Sequence, residues 1–220
     1  MADDNPDVKS AIRNGDADAL RRLLSDDPSR ANALIRWGKN ECILTHPLHY
    51  VSDMLFEGTL QKGKELPLVE ALIEVGADLN FQGNGKGDTP LIGAASLGAE
   101  EVGLRLLDAG AKPNLRGMFG ETALHWAALL GEDRLAARLV KVVADLDLKD
   151  DEYKSSPLGW AVHGWCNPPA GNHGQQREVA ALLVAAGARV EPQWLESENV
   201  RGADPGMLAA LRSSGGAGEQ

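Results

Sequence analysis

The sequence has too little positive charge to suit a polyanionic partner. Its 220 residues carry 22 Lys and Arg against 32 Asp and Glu, which gives a formal net charge of −10 and a pI near 5.0. Binding to phosphate groups depends on clustered Lys and Arg, so an excess of acidic residues opposes it. We therefore expect neither nucleic acid nor an anionic membrane as a partner.

Long apolar runs and an export signal are also missing. The longest uninterrupted apolar run, at 179–186, has eight residues, whereas a helix that crosses a bilayer needs roughly 20. The first residues, MADDNPDVKS, are acidic and polar where a signal peptide is basic and then apolar. The sequence predicts no membrane span and a cytoplasmic location.

Cysteine is scarce, and the common catalytic motifs are absent. Cys42 and Cys166 form no CxxC pair and no Cys–His cluster at zinc spacing, so we expect two reduced thiols, no metal and no cofactor. The sequence contains no GxSxG or HExxH motif, and the glycines of FQGNGKGDTP open no phosphate-binding loop.

What the sequence does contain is an internal repeat. The segments HPLHYVSD, TPLIGAAS, TALHWAAL and SPLGWAVH align at Pro47, Pro90, Ala123 and Pro157, and the steps between these anchors are 43, 33 and 34 residues. Each anchor is followed by a second apolar stretch. A period of about 33 residues with a T-P-L-H-x-A start is typical of a unit made of a turn and two helices.

Local signals agree with this unit. Thr89 followed by Pro90 predicts a helix start, because a capping hydroxyl precedes a residue whose φ suits the first turn. Gly110 predicts a left-handed end to the second helix. Val143 occupies the equivalent place in the third unit, where a β-branched residue would be strained, so we expect that turn to take another shape.

With these motifs the sequence resembles the ankyrin-repeat family, most clearly in TALHWAALLGEDRLAARLV. The resemblance covers the chain from Asp7 to about Arg212. It implies an all-α ankyrin-repeat solenoid, in which helix-turn-helix repeats are joined by β-turn fingers. We expect one domain over 1–212 and a flexible tail at 213–220. The expected parts are caps at 7–27 and 191–212 and repeats at about 45–80, 88–114, 121–146 and 155–190.

Two units carry insertions of 9 and 10 residues between their paired helices. We call these the edge loops; they fall at FEGTLQKGKEL from Phe56 and at WCNPPAGNHGQQ from Trp165. The repeat places both on the same edge, and loops longer than usual are often functional. Neutral surface decoration is the alternative, because long loops cost little stability.

The motif histidine is kept at His49 and His125 and replaced by Ile92 and Gly159 in the other two units. In the family this histidine makes structural hydrogen bonds. The resemblance therefore implies a structural role for both His49 and His125.

The resemblance also implies a binding surface. Two positions in each unit are expected to face a concave groove: Tyr50 and Asp53, Gly93 and Ser96, Trp126 and Leu129, Trp160 and His163. Trp37, Phe119, Tyr153 and Trp165, with Met118, are expected on or near the same side. Rigid aromatic anchors with a few polar groups are typical of protein interfaces. For Trp126, packing between repeats is the alternative.

His163 is the sharpest candidate for chemistry, because it has no motif role and lies between Trp160 and Trp165. It could act as a general acid or base with Asp53, Glu41 or Glu121 as its partner. Cys166, in the same loop as His173, is either a nucleophile or a spectator thiol.

The sequence thus predicts a monomeric interaction module. We expect it to bind a partner protein through the groove, the turn tips and the edge loops, with acidic rims that favour a basic partner. The main alternative is a small-molecule or enzymatic pocket closed over Tyr50, Trp126, Trp160 and His163. Self-association is a third interpretation.

Overall fold

A computed structural model describes residues 5–85, 87–143, 145–169, 175–197, 200 and 205–212. In this part of the chain the regular structure is helical apart from two strands of three residues each and three single 3₁₀ turns. The predicted all-α class is therefore confirmed. The chain forms two units, with the boundary between Leu115 and Arg116, and the expected single domain with terminal caps stays a prediction.

The first unit contains three helix pairs and the two strands. The elements are α1 (Pro6–Asn14), α2 (Ala17–Asp26), β1 (Ile35–Trp37), β2 (Ile43–Thr45), α3 (Pro47–Phe56), α4 (Glu65–Glu74), α5 (Pro90–Ser96) and α6 (Glu100–Asp108). Consecutive first helices pack together, α1 on α3 and α3 on α5, and each second helix packs against its own partner.

The second unit continues with two further pairs and a short C-terminal part. Its elements are α7 (Ala123–Leu130), α8 (Asp133–Val140), α9 (Pro157–Cys166), α10 (Gln176–Ala185), α11 (Pro192–Glu196) and α12 (Pro205–Arg212). Helix α9 packs against both α7 and α10, and α12 packs against α10. No helix in the described part of either unit has the length and apolar composition of a membrane span.

Three first helices, α3, α5 and α9, begin where a side chain caps the helix and a proline follows. The Thr89 hydroxyl accepts a hydrogen bond from the backbone N–H of Ile92 at 3.2 Å, and the Ser156 hydroxyl accepts one from Gly159 at 3.3 Å. Pro90 and Pro157 occupy the next position, where the first-turn N–H has no helical partner in any case. The predicted start at Thr89 is confirmed.

Second helices bury one apolar face and end in a tight turn. Val102 and Leu106 of α6 are buried, and Gly110 closes the turn with a φ of +96°. The glycine is needed there because a side chain at this φ is strained. After α8 the turn differs as expected: Val142 and Val143 both donate to the carbonyl of Leu139 at 2.9 Å, and Val143 does not adopt a positive φ.

The strands form a small antiparallel hairpin before α3 that the sequence did not reveal. Ile35 pairs with Thr45 and Trp37 with Ile43. The connecting turn contains Asn40 and Glu41, both with positive φ. The hairpin places the Trp37 ring 5.5 Å from that of Tyr50 in an edge-to-face arrangement.

Side-chain oxygens join the turns of neighbouring repeats. Asn80 Oδ1 accepts from the backbone N–H of Lys112 at 2.8 Å in the first unit, and Asp147 Oδ1 accepts from Arg189 at 2.8 Å in the second. These bonds satisfy backbone donors that helices and strands leave unpaired.

The edge loops lie between paired helices, as the repeat predicts. The first connects α3 to α4, and Leu60 anchors it with a buried side chain. The second connects α9 to α10, but its residues 170–174 lie outside the described residues, as do 1–4 and the predicted tail 213–220. Their placement on one edge stays a prediction.

Candidate functional site

Two tryptophans from neighbouring first helices form the centre of the second unit. Trp126 of α7 and Trp160 of α9 occupy the same repeat position, and their rings meet edge to face with centroids 5.0 Å apart. Gly164 allows this approach, because a Cβ there would meet the backbone carbonyl oxygen of Leu129 in α7. Close helix packing thus brings the two indoles together.

A buried carboxylate holds each indole N–H. Trp126 Nε1 donates to Glu121 Oε1 at 3.3 Å, and the other oxygen of Glu121 accepts from the backbone N–H of Phe119 at 2.9 Å. Trp160 Nε1 donates to Asp150 Oδ2 at 3.1 Å. Both carboxylates are buried. A hydrogen bond from the indole N–H to a buried carboxylate therefore fixes the orientation of each ring.

Asp150 also organises the turn before α9. Its carboxylate accepts from the backbone N–H groups of Glu152, Tyr153 and Ser155 at 2.9, 2.6 and 3.0 Å. Burial acts to raise the pKa of this carboxyl, but the Tyr153 N–H, the Trp160 indole and the other donors outweigh it, so the pKa is lowered. Sequence reasoning did not single out Asp150, because the acceptor role appears only once the turn is folded.

The turn holds Tyr153 beside the tryptophan pair. Its ring lies 6.1 Å from that of Trp160 at 73°, yet 69% of the residue is exposed. Lys154, which follows it, has a φ of +52°. The backbone is thus shaped so that a large aromatic side chain stands in solvent next to Trp160.

His125 is structural, as expected. Its Nδ1 accepts from the backbone N–H of Thr122 at 3.1 Å, and Nε2 lies 3.1 Å from the carbonyl oxygen of Leu148. Burial lowers its pKa to about 4. A neutral imidazole therefore joins the start of α7 to the following turn.

A cavity of about 780 Å³ opens beside these rings. We call it the aromatic cavity. Its lining residues are Trp126, Leu129, Tyr153, Ser155, Gly159, Trp160, Val162, His163, Cys166, Asn167, Pro169, Trp194, Ser197 and Val200. This volume is within the range of about 300–1,000 Å³ that is common for ligand sites.

Gly159 explains how a fourth aromatic residue reaches this cavity. It replaces the motif histidine of the fourth unit, and a Cβ there would meet the Ser155 hydroxyl and approach the Trp194 ring to 3.2 Å. The lost histidine thus makes room for Trp194, which comes from α11.

The structure brings together four of the predicted site residues and separates others. Trp126, Leu129, Trp160 and His163 line the aromatic cavity, and His163 is exposed. Phe119 is 49% exposed on the preceding turn. Trp165, although in α9, is not part of the lining, and its buried indole N–H has no hydrogen-bond partner among the described residues.

Tyr50 and Asp53 belong to the first unit, where Tyr50 is buried and Asp53 contacts His49. Tyr50 is 0% exposed, and burial raises its pKa to about 12. The surface of the first unit therefore does not include it. Asp53 Oδ2 lies 3.4 Å from His49 Nδ1. Burial opposes the charged form of His49, but the bond to Asp53 and its charge outweigh this effect and raise the pKa of His49.

The structural role expected for His49 takes a different form. His46 caps α3 in place of the usual hydroxyl, since its Nδ1 accepts from Leu48 at 3.3 Å, and its Nε2 lies 3.0 Å from Asn32 Oδ1. With a histidine at the cap position, His49 turns to Asp53 and packs over Gly93. The motif hydrogen bonds of His125 are therefore not repeated at His49.

The contacts of Glu121 and Cys166 do not favour the predicted catalytic roles in this region. Glu121, the expected partner of His163 in the same unit, is engaged by Trp126 and Phe119. Burial raises the pKa of the Cys166 thiol, which disfavours the nucleophilic thiolate, and His173 lies outside the described residues. Among the described residues, no three His, Cys, Asp or Glu side chains are grouped to hold a metal ion.

Comparison with known proteins agrees with this repeat architecture. The ankyrin-repeat family model matches residues 119–151. The chain belongs to the ankyrin-repeat family, as its sequence predicts, and ankyrin repeats generally mediate protein–protein interaction.

Curated relatives are much longer proteins. The chain is 40% identical over 151 residues to Neurogenic locus notch homolog protein 1 of Xenopus tropicalis, which covers 67% of this chain and 5% of that protein. It is 31% identical over 141 residues to Ankyrin repeat and SAM domain-containing protein 6 of Rattus norvegicus, covering 64% and 14%. It is 38% identical over 74 residues to the 2-5A-dependent ribonuclease of Homo sapiens, covering 34% and 10%. The chain thus spans only a small part of each.

Proposed function

We propose that the chain binds a partner protein through the second unit, at the aromatic cavity and the adjoining turn tips. The contact residues are Phe119, Trp126, Leu129, Tyr153, Trp160 and His163. The observation that carries the proposal is the convergence of three rings, Trp126, Trp160 and Tyr153, on one cavity beside exposed turns. Large aromatic side chains supply contact area at low entropic cost.

The exposure of the turn tips supports a macromolecular partner. Phe119 and Tyr153 are both largely exposed, and Met118 beside Phe119 is 66% exposed. These side chains lie on two successive turns that are joined, since Asp151 donates its backbone N–H to the carbonyl of Phe119 at 2.7 Å. A partner that covers the cavity can therefore also bury apolar area on the turns.

The proposed surface is narrower than the one expected from the sequence. Tyr50 is buried and Asp53 contacts His49, so neither contributes to it. Trp165 and the edge loops stay predictions, as do a monomeric state and a cytoplasmic location.

Site-specific photo-cross-linking in cells of the source organism tests the proposal. Benzoylphenylalanine would replace Phe119 or Tyr153, and Leu44, an exposed apolar residue of β2 in the first unit, is the control position. We expect the same discrete protein adduct from positions 119 and 153 and none from position 44. Adducts that are absent, or equally abundant at position 44, would contradict the proposal.

A small-molecule site is the second candidate, and the volume of the aromatic cavity favours it. Native mass spectrometry of the purified protein tests this function. A bound compound that disappears in Leu129→Trp, where the added ring would fill the cavity, supports a small-molecule site. Unliganded protein together with the cross-linked adduct supports a protein partner instead.

A further inference from the structure

We infer that the aromatic cavity receives a positively charged side chain, lysine or arginine, from the partner protein. This inference rests on the proposed function and names the chemistry of the contact. It follows from the rings, the carboxylates behind them and the charges around the cavity.

The rings are arranged as a cation requires. Trp126 and Tyr153 stand at 84° and 73° to Trp160, and Trp194 adds a fourth aromatic residue to the lining. A group inside the cavity therefore meets aromatic surface from more than one direction. Cations are attracted to the negative faces of such rings within about 6 Å of the ring centre, and tryptophan attracts them most strongly.

The two buried carboxylates strengthen this attraction. Each indole N–H donates to an anion, Trp126 to Glu121 and Trp160 to Asp150. Donation to an anion polarises the indole and makes its faces more negative. The carboxylates are themselves buried, so the negative charge that they place close to the cavity is screened less than that of exposed groups.

The charges around the cavity are complementary to a cation. The described lining contains no Lys or Arg side chain. Two basic residues of the adjoining turns are paired with acidic ones, Arg116 with Asp151 at 3.0 Å and Lys149 with Glu191 at 3.0 Å. A third, Lys154, is exposed between Tyr153 and Ser155 and does not line the cavity. With a net charge of −10 for the chain, the long-range field also favours a basic segment over an acidic one.

Titration with small probes tests the chemistry without knowledge of the partner. Butylammonium chloride and butylguanidinium chloride represent the lysine and arginine ends, 1-butanol is the neutral probe of equal length, and sodium chloride controls for ionic strength. The readout is the NMR signal of each indole N–H, assigned with single Trp→Phe variants. Trp37, in the first unit, supplies the control signal.

We expect the Trp126 and Trp160 signals to shift and saturate with at least one of the two cations, and the Trp37 signal to stay constant. The better cation should bind about fivefold or more tightly than 1-butanol. Equal affinity for 1-butanol, or equal shifts at Trp37, would overturn the inference.

The variant Tyr153→Leu tests whether the aromatic ring itself, rather than its apolar area, contributes to cation binding. Leucine keeps an apolar side chain at this exposed position, so folding should persist. We expect the variant to lose most of the preference for the cation while its affinity for 1-butanol stays within about twofold. An unchanged preference would mean that the Tyr153 ring does not recognise charge and would overturn the inference.

The cross-linking experiment distinguishes this inference from the proposed function. An adduct from position 153 that maps to a partner segment with Lys or Arg supports both. An adduct to a segment without basic residues leaves the protein-binding function standing and overturns the charge recognition. Cation binding without any protein adduct overturns the proposed function and, with it, the partner named here.

Discussion

The same repeat position is covered by another aromatic ring in the first unit and borders a cavity in the second. Tyr50 of α3 and Trp160 of α9 both follow the motif by the same spacing. Trp37, from the β1–β2 hairpin, packs against Tyr50, which is completely buried. Trp160 is bounded instead by Trp126 and Tyr153, and a cavity lies beside it.

The difference comes from the segment that precedes each repeat. Before α3 the chain forms a hairpin that supplies an apolar cover. Before α9 it forms a turn around Asp150, which holds Tyr153 to one side and leaves the space open. Repeats with similar helices can thus differ in whether they present a site, because short connecting segments decide what covers the aromatic position.

Truncation at this repeat position should show the largest effect, and Trp126 of α7, which occupies the same position, represents the second unit. Tyr50→Ala should lower the free energy of unfolding by about 3–5 kcal/mol, because it leaves a large cavity in a closed core. Trp126→Ala, which removes a partly exposed ring, should cost about 1–2 kcal/mol. Urea unfolding of both variants measures this. Equal losses would show that the two positions are equally closed.

Two glycines, Gly164 in the second unit and Gly93 in the first, test how tightly neighbouring first helices pack in each unit. Gly164→Ala should destabilise the protein by about 2–3 kcal/mol, because the new methyl group meets the backbone carbonyl of Leu129, which cannot move aside. Gly93→Ala meets the His49 imidazole, which can move only by leaving its bond to Asp53, so it should cost less, about 1–2 kcal/mol. The same urea titrations check the order, and a larger loss for Gly93→Ala would contradict it.

The turn around Asp150 should be essential for the open arrangement. Asp150→Asn weakens four hydrogen bonds and should cost about 2 kcal/mol. Because the pKa of Asp150 is lowered by folding, its ionised form stabilises the protein above a pH of about 4, and this contribution is lost as the pH falls through the folded-state pKa. Unfolding curves at pH 7 and near-UV circular dichroism of the tryptophans report the change.

Asp151→Asn is the matched control for this variant. Asp151 is the exposed neighbour, and its bond to Arg116 lies on the surface, so the substitution should change stability by less than about 0.5 kcal/mol. A loss as large as that of Asp150→Asn would assign the effect to general charge rather than to the turn.

Lowering the pH should reduce the stability of each unit through the protonation of one buried histidine, His46 in the first unit and His125 in the second. Burial lowers the pKa of His46 and of His125 to about 4, whereas an unfolded histidine has a pKa of about 6.5. Between these values the unfolded chain binds more protons, so the free energy of unfolding should fall by about 2–3 kcal/mol per histidine as the pH drops from 6.5 to 4. His49 has a raised pKa, and its contribution is lost only as the pH rises through that value.

The variant His46→Asn separates the two histidines. Asparagine caps helices well and does not titrate. Urea unfolding at several pH values should give a shallower dependence for His46→Asn than for the unchanged protein. The same dependence in both would mean that His46 does not contribute.

Much of the fold was predictable because the residues that start and end each helix are local and recur from unit to unit. Thr89 with Pro90 defines a helix start through a local hydroxyl cap and a suitable φ, and Gly110 defines a helix end. The hairpin was not predictable, since strands of three residues are too short for an alternating pattern and the turn depends on positive φ at Asn40 and Glu41.

The candidate site was predictable in part. Trp160 and His163 could be grouped because helical spacing places them on one face of α9, and Trp126 because it occupies the equivalent position of the preceding repeat. Tyr50 could not be distinguished from them, because its burial depends on Trp37 from another element. Asp150 was missed for a similar reason: its four donors come from a folded turn and from an indole ten residues further along the chain.

The turn from Asp150 to Ser155 also has a kinetic and entropic consequence. Its backbone is already immobilised around one carboxylate in the free protein. A molecule that binds Tyr153 therefore loses only about 0.5–1.5 kcal/mol of binding free energy to the restriction of this side chain. A mobile backbone would cost about 1–2 kcal/mol more for each residue that had to be ordered. Since this turn does not have to rearrange first, a contact with Tyr153 should form without a slow conformational step of the turn.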